Sequence, residues 1–173
     1  VSQFLSPLKN VRTDIYGGSI ENRGRFLFQI YRAVRKAVGK DFPLLVKLNA
    51  KDFIRGGLTS KDACFVAAEL DRMGIDAIEV SGGTPASGTL GPARPDIDKA
   101  DVEAYFMPLA KEINRQTSAP VILVGGVRSL KTIRAVFDSH SAAFVSMSRP
   151  LIREPDLVRR WKAGDKRKAD CIS

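Results

Sequence analysis

The residues best suited to chemistry stand where short apolar runs stop. Val121-Ile122-Leu123-Val124 follows Pro120 and gives way to Gly125-Gly126-Val127-Arg128. A branched apolar run of this length between turn signals reads as a strand buried on both faces, as in a parallel sheet. Ser129 then fits the N-cap of a helix bearing Leu130, Ile133, Val136 and Phe137. Two glycines between a strand's carboxyl end and a helix let backbone N–H groups approach an anion, and the helix dipole favours negative charge there. That is the composition of a phosphate cradle, although a tight βα turn that binds nothing has the same pattern. Comparable endings recur at Ser81-Gly82-Gly83 and at Ser148-Arg149-Pro150, and Lys47 and Asn49 share one face of another short run, because strand side chains alternate.

The elements that must position these groups follow one rhythm. Residues 4–18 have no sustained period and are rich in turn formers, which predicts an ordered loop. Ser19 caps a helix with Phe26, Leu27, Ile30, Val34 and Val38 at helical spacing, and Gly39 stops it. A strand over residues 44–49 leads through a loop with Gly56-Gly57 to a capping box at Thr59 to Asp62. The helix that follows places Ala63, Val66, Ala67, Leu70 and Met73 on one side. A strand over 77–81 is followed by a long loop, residues 84–98, of the kind that is usually functional or mobile. Val102, Phe106, Leu109, Ala110 and Ile113 mark the next helix. After the Pro120 strand and its helix come a strand over 143–147 and a last helix with Leu157, Val158 and Trp161. Pro155 stands near its first turn, and the basic tail, residues 164–173, reads as frayed.

Strand–helix alternation at this spacing means α/β, with parallel strands joined by crossovers. An open doubly wound sheet and a (β/α)8 barrel both fit, four units being half of a barrel. In either, the active face lies at the carboxyl ends of the strands, where Lys47, Asn49, Ser81, Gly82, Gly125, Gly126, Ser148 and Arg149 all fall.

Composition narrows the function classes. At 173 residues, 44% hydrophobic and 27% charged, the chain suits a single soluble domain. It has no apolar run long enough to span a bilayer and no signal peptide, so no membrane partner is expected. Cys64 and Cys171 are too few for a disulfide framework, and a reducing cytoplasm is the expected compartment. The net charge of +9 raises nucleic-acid binding, yet the basic residues of the first helix (Arg23, Arg25, Arg32, Arg35, Lys36) and of the tail carry no interleaved aromatics. A solvated basic surface is the reading adopted, with no nucleic-acid partner. His140 falls in a helix-to-strand turn and reads as a surface residue. Val1 in place of Met is expected of a processed, trimmed or fragmentary chain.

Several stretches together resemble the old yellow enzyme family of FMN-dependent oxidoreductases. They are residues 2–7 with Asn10, Arg12, Asp14, Tyr16-Gly17-Gly18-Ser19 and Glu21-Asn22-Arg23-Gly24-Arg25-Phe26, and, at the other end, residues 145–151 and Glu154-Pro155-Asp156-Leu157. Lys47-Leu48-Asn49 and Glu79-Val80-Ser81-Gly82-Gly83 resemble the NADH:flavin oxidoreductase and bacterial dienoyl-CoA reductase branch. The resemblance implies that residues 1–173 form the carboxyl half of a TIM (β/α)8 barrel, strands 5 to 8 with their helices. FMN would sit at the barrel mouth and NAD(P)H would be the reductant. The implied reaction passes hydride through FMN to an alkene conjugated to a carbonyl, on a small-molecule substrate, with the flavin carrying the organic chemistry.

By the same resemblance, Lys47 stands near the flavin N1–C2 edge, where a cation stabilises negative charge. Gly125, Gly126 and Val127 offer N–H groups to the phosphate, with Ser148 and the Arg149 guanidinium beside them. Many relatives have Gly where Ser148 stands. Ser81 and Gly82 end a strand near flavin or substrate. Arg12, Asp14, Glu21, Arg23 and Arg25 are expected as scaffolding. The family's proton-donating residues would precede Val1, so no catalytic residue is assigned within the chain, which alone is expected to be inactive. Cys171 resembles the start of an iron–sulfur motif. One thiolate cannot hold a cluster, so such a cluster is expected only in a longer parent chain and no metal site is assigned here. The partner expected is the amino half of the barrel. The alternative is a non-catalytic half-barrel module that associates with itself, because a half barrel leaves strand edges open.

Overall fold

A computed structural model of the chain describes residues 1–97 and 100–171. Four strands, β1 (Leu45–Asn49), β2 (Ala77–Ser81), β3 (Val121–Val124) and β4 (Phe144–Ser146), pair in parallel in the order β1-β2-β3-β4. A doubly wound sheet reverses its strand order at a switch point. Strands laid down in sequence order with no reversal form a contiguous arc of a barrel, so the order settles the two architectures that the alternation left open.

The strand residues divide by alternation. Leu48, Ile78, Val80, Val121 and Leu123 are buried against the helical layer. On the opposite face, register aligns Lys47, Glu79, Ile122 and Phe144 in one row across the sheet. Leu45 on β1 and Phe144 on β4, the two edge strands, are 51% and 56% exposed. A parallel sheet is ordinarily covered on both faces; this one is covered on one.

The helical layer follows the sequence closely in places. After the short α1 (Ser2–Leu5), which residues 4–18 gave no periodicity to reveal, α2 (Ile20–Val38) stops at Gly39 with φ 81°. Helix α3 (Ser60–Arg72) carries the capping box at Thr59 and Asp62. Helix α4 (Met107–Asn114) begins five residues later than Val102 suggests. Ala104 takes φ 50°, a left-handed backbone that interrupts the helical run; Val102 lies in a 3-10 turn and is 40% exposed. Phe106, at the N-cap, is fully buried, so the Val102–Phe106 spacing mimicked a helical face. Helix α5 (Leu130–Asp138) has Ser129 as its cap, with Thr132 N–H donating to Ser129 Oγ. The short α6 (Arg149–Arg153) and α7 (Leu157–Lys162) complete the chain's helices among the described residues.

Two further expectations change. Arg23 is not part of a solvated basic face: it is 6% exposed and donates to the carbonyls of Leu5 and Gly18 and to Asp62. The scaffolding role of the amino-terminal signature holds, with Arg12 paired to Asp14 and Arg25 bonded to the Ile15 carbonyl. The tail is also docked up to Asp170 rather than frayed; its last two residues lie outside the described ones. Ala169 is fully buried beside Leu157 and Trp161, Trp161 Nε1 donates to the Arg167 carbonyl at 2.8 Å, and Asp165 and Glu154 pair with Arg160. Within the segment Asp165 also pairs with Arg167, which a reading of its net charge alone does not reveal.

Asp76 joins α2 to the start of the sheet. The Leu44 N–H and the Arg35 guanidinium hold its carboxyl below the ordinary carboxylate range. A depressed folded-state value means that the contribution is present above the unfolded value of about 4 and is lost as pH falls through the folded one. Thermal unfolding of wild type and Asp76→Asn is therefore expected to differ at pH 7, with the gap closing as pH drops below about 4. A gap that persists undiminished at pH 2 would contradict this.

Candidate functional site

At the carboxyl ends of the strands, a cavity of about 260 Å3 is lined by Lys47, Ser81, Gly125, Gly126, Val127, Ser148 and Arg149. These come from all four strand ends. Gly82, the other residue singled out, is buried and does not line the cavity. A Cβ there would lie 2.9 Å from Phe106 Cε1 and 3.0 Å from Phe53 Cε2, so Gly82 makes room for aromatic rings.

The glycines after β3 serve the same packing. Gly125 (φ 112°) and Gly126 (φ 73°) adopt backbone that L side chains rarely take. Added Cβ atoms would meet Phe106 Cδ2 at 2.7 Å and Tyr105 Cδ1 at 2.8 Å, respectively. Tyr105 lines the cavity as well, and its ring packs edge-on against Phe106 with centroids 4.6 Å apart. The Arg94 guanidinium lies 4.4 Å from the Tyr105 ring centroid, 5.3 Å from that of Phe53 and 5.4 Å from that of Phe106, and burial pushes its pKa down.

Hydrogen-bonding capacity converges on the cavity. Among the described residues, the N–H groups of Gly126, Val127, Ser148 and Arg149 have no acceptor. The Arg149 guanidinium spends one donor on the Arg94 carbonyl at 3.1 Å, which ties the long loop after β2 to the end of β4. The Lys47 ammonium is paired with Glu79 on the neighbouring strand. The amino end of α5 is already engaged. Glu103 Oε2 accepts from the N–H groups of Arg128 and Ser129, each at 3.1 Å, so a carboxylate of the chain itself takes up that helix terminus.

A second cavity, about 610 Å3, shares Lys47 and Ser81 with the first and reaches Asn49, Asp52 and Lys9. Asp52 organises its floor while 1% exposed. It accepts from Ser6 Oγ at 2.5 Å, from the Leu58 N–H at 2.9 Å and from Asn49 Nδ2 at 2.7 Å. Sequence reasoning missed Asp52, Tyr105, Arg94 and Glu103, each in a loop or turn where no periodicity marks burial, and it placed Phe106 on a helical face rather than at the site. His140 is exposed in its turn with φ 51°. Cys171 is a free, half-buried thiol, and among the described residues no group of three or more His, Cys, Asp or Glu could hold a metal ion. No helix among them is long and apolar enough to cross a membrane.

Parallel β/α units in sequence order, with the polar groups gathered at the strands' carboxyl ends, define a (β/α)8-type enzyme scaffold. Residues 1–168 match the NADH:flavin oxidoreductase / NADH oxidase family, and the chain belongs to it. It is 34% identical over 176 residues to an NADH oxidase of Thermoanaerobacter brockii, covering all of this chain and 26% of that protein. To an NADPH dehydrogenase of Geobacillus thermodenitrificans it is 37% identical over 155 residues, covering 90% and 42%. Among solved structures, a 2-naphthoyl-CoA reductase complex superimposes with a TM-score of 0.85 at 28% identity, over 98% of this chain and 26% of that one. The old yellow enzyme homologue from Zymomonas mobilis gives 0.71 at 26% identity, over 96% and 44%. The chain thus spans between about a quarter and a half of the length of these relatives.

Because overpacking and left-handed strain act together at Gly125, Gly125→Ala is expected to cost about 3 kcal/mol of stability in urea titration. A loss below about 1 kcal/mol would mean that the rings swing aside freely. Asp52→Ala, which strands two buried donors and one half-buried one, is expected to cost a similar amount, about 3 kcal/mol.

Proposed function

We propose that this chain supplies the phosphate-binding half of an FMN site in an NAD(P)H-dependent oxidoreductase acting on small molecules. One observation carries the reading. Backbone N–H groups lacking acceptors, from the turn after β3 and the turn after β4, line one cavity together with the Arg149 guanidinium. A terminal phosphate is the group of FMN that such a donor set fits, since amides and a guanidinium recognise phosphate oxygens jointly. The α5 terminus contributes little, because Glu103 already occupies it. The work falls to Gly126, Val127, Ser148 and Arg149.

FMN, when bound, supplies hydride transfer from NAD(P)H to an activated alkene. The chain's residues hold and orient it. Arg149 neutralises phosphate charge while anchoring the loop at Arg94, and Ser148 donates through its backbone, which the side chain leaves intact. Lys47, fixed by Glu79 at the junction of the two cavities, places positive charge beside the flavin ring. Further strands of a complete barrel would cover the bare sheet face and pair with the edges of β1 and β4. A second copy of the chain could meet the same need, and the same open edges favour it; sedimentation of a monodisperse monomer at high concentration would exclude that second reading.

Parallel titrations with FMN and with riboflavin, which lacks the phosphate, test the main reading. FMN is expected to bind at least about tenfold more tightly, and Arg149→Ala to weaken FMN by about tenfold with riboflavin unchanged. Equal affinities for the two flavins would overturn it.

A further inference from the structure

The turn that carries Gly126 and Val127 does not hold itself in place. Its two glycines have wide torsional freedom of their own, so its path is set by the Tyr105 and Phe106 rings packed on it and by what grips its ends. One end is β3. The other is Arg128, 2% exposed and bonded to three distant segments. Its Nη1 donates to the Ile97 carbonyl, at the end of the long loop after β2. Its Nη2 donates to the Ala169 carbonyl in the tail at 3.1 Å, and its own carbonyl accepts the Ala169 N–H at 2.8 Å. Its N–H donates to Glu103 Oε2 at 3.1 Å, an oxygen that also accepts the Ser129 hydroxyl at 3.0 Å. Nη1 and Nη2 are engaged while Nε is buried without a partner among the described residues, so separating these segments would strand further donors of a guanidinium withdrawn from water.

We propose that Arg128 is a positioning residue for the phosphate-facing turn, and that docking of the tail at Ala169 governs phosphate affinity. Arg128 itself borders the cavity, but its Nη1 and Nη2 are spent on the Ile97 and Ala169 carbonyls, so it acts through Gly126 and Val127. The inference rests on the phosphate reading above. It goes beyond that reading in giving the tail, outside the sheet and both cavities, control over the strength of cofactor binding. It also gives Glu103 a role as the acidic counterpart that keeps the Arg128–Ser129 main chain in register.

Small displacements of binding groups have large consequences for recognition, so the effect should be measurable and confined to the phosphate. FMN and riboflavin are titrated in parallel into the purified protein and followed by flavin fluorescence. Arg128→Met is expected to weaken FMN by about tenfold while riboflavin stays within about twofold of wild type. Arg128→Lys should recover part of the FMN preference, since an ammonium can keep one of the two carbonyl partners. Ala169→Pro removes the tail N–H and leaves Arg128 intact; it should lower the FMN-to-riboflavin preference in the same direction, by about threefold. Equal losses for both flavins, or an unchanged preference in Arg128→Met and Ala169→Pro, would overturn the clamp. Should Arg128→Met fail to fold, Ala169→Pro decides alone. A wild type without preference for FMN would instead remove the phosphate reading, and the clamp with it.

Discussion

The rings of Tyr105 and Phe106 occupy the space that side chains at Gly82, Gly125 and Gly126 would need, and the shape of the strand ends follows from this. Where a Cβ would stand 2.7 to 2.9 Å from a ring carbon, only glycine lets the chain pass beneath the aromatic pair. The aromatics therefore sit directly on β2 and β3, with Phe106 fully buried. Arg94 stacks over Phe53, Tyr105 and Phe106, and through its carbonyl it accepts from Arg149 beyond β4. One packing contact thus links the ends of β2, β3 and β4 and gives the cavity between them a fixed wall.

The electrostatics of this mouth are arranged by pairing. Glu79 holds Lys47, Glu103 takes the amino end of α5, and Asp52 absorbs donors from Ser6, Asn49 and Leu58. Each carboxylate near the cavities is thereby committed to a partner, while N–H groups after β3 and β4 are left without one. The unspent N–H groups at these two turns are what an anionic ligand requires, whereas beside the larger cavity Asn49 Oδ1 is a buried acceptor without a partner among the described residues.

The repeating units were legible because burial imprints a period on the sequence. Val66, Leu70 and Ala63 mark α3, and Val121 to Val124 mark a strand that is buried against helices. Capping chemistry at Thr59 and Ser129 was equally plain, since it is local and needs only neighbours in the chain. Where a feature depended on residues far apart, sequence reasoning failed or misread it. Arg23 looked like a surface charge because its acceptors, Leu5 and Gly18 carbonyls and Asp62, come from three separate segments. Val102 and Phe106 looked like one helical face because spacing carries no trace of the left-handed turn at Ala104.

The chain by itself determined the alternation of parallel units and the chemical character of the strand ends: glycine pairs, a lysine, and a serine beside an arginine. Local propensity and periodic burial suffice for that. Only the tertiary structure decided which strands are neighbours, and that Gly125 and Gly126 line the cavity beneath aromatic rings while Gly82 meets rings alone. It also placed the buried Glu103 carboxylate against the Arg128 and Ser129 N–H groups that lead into α5. Those outcomes depend on contacts between distant segments, up to the 55 residues that separate Arg94 from Arg149, and a contact of that span leaves no period in the sequence to read.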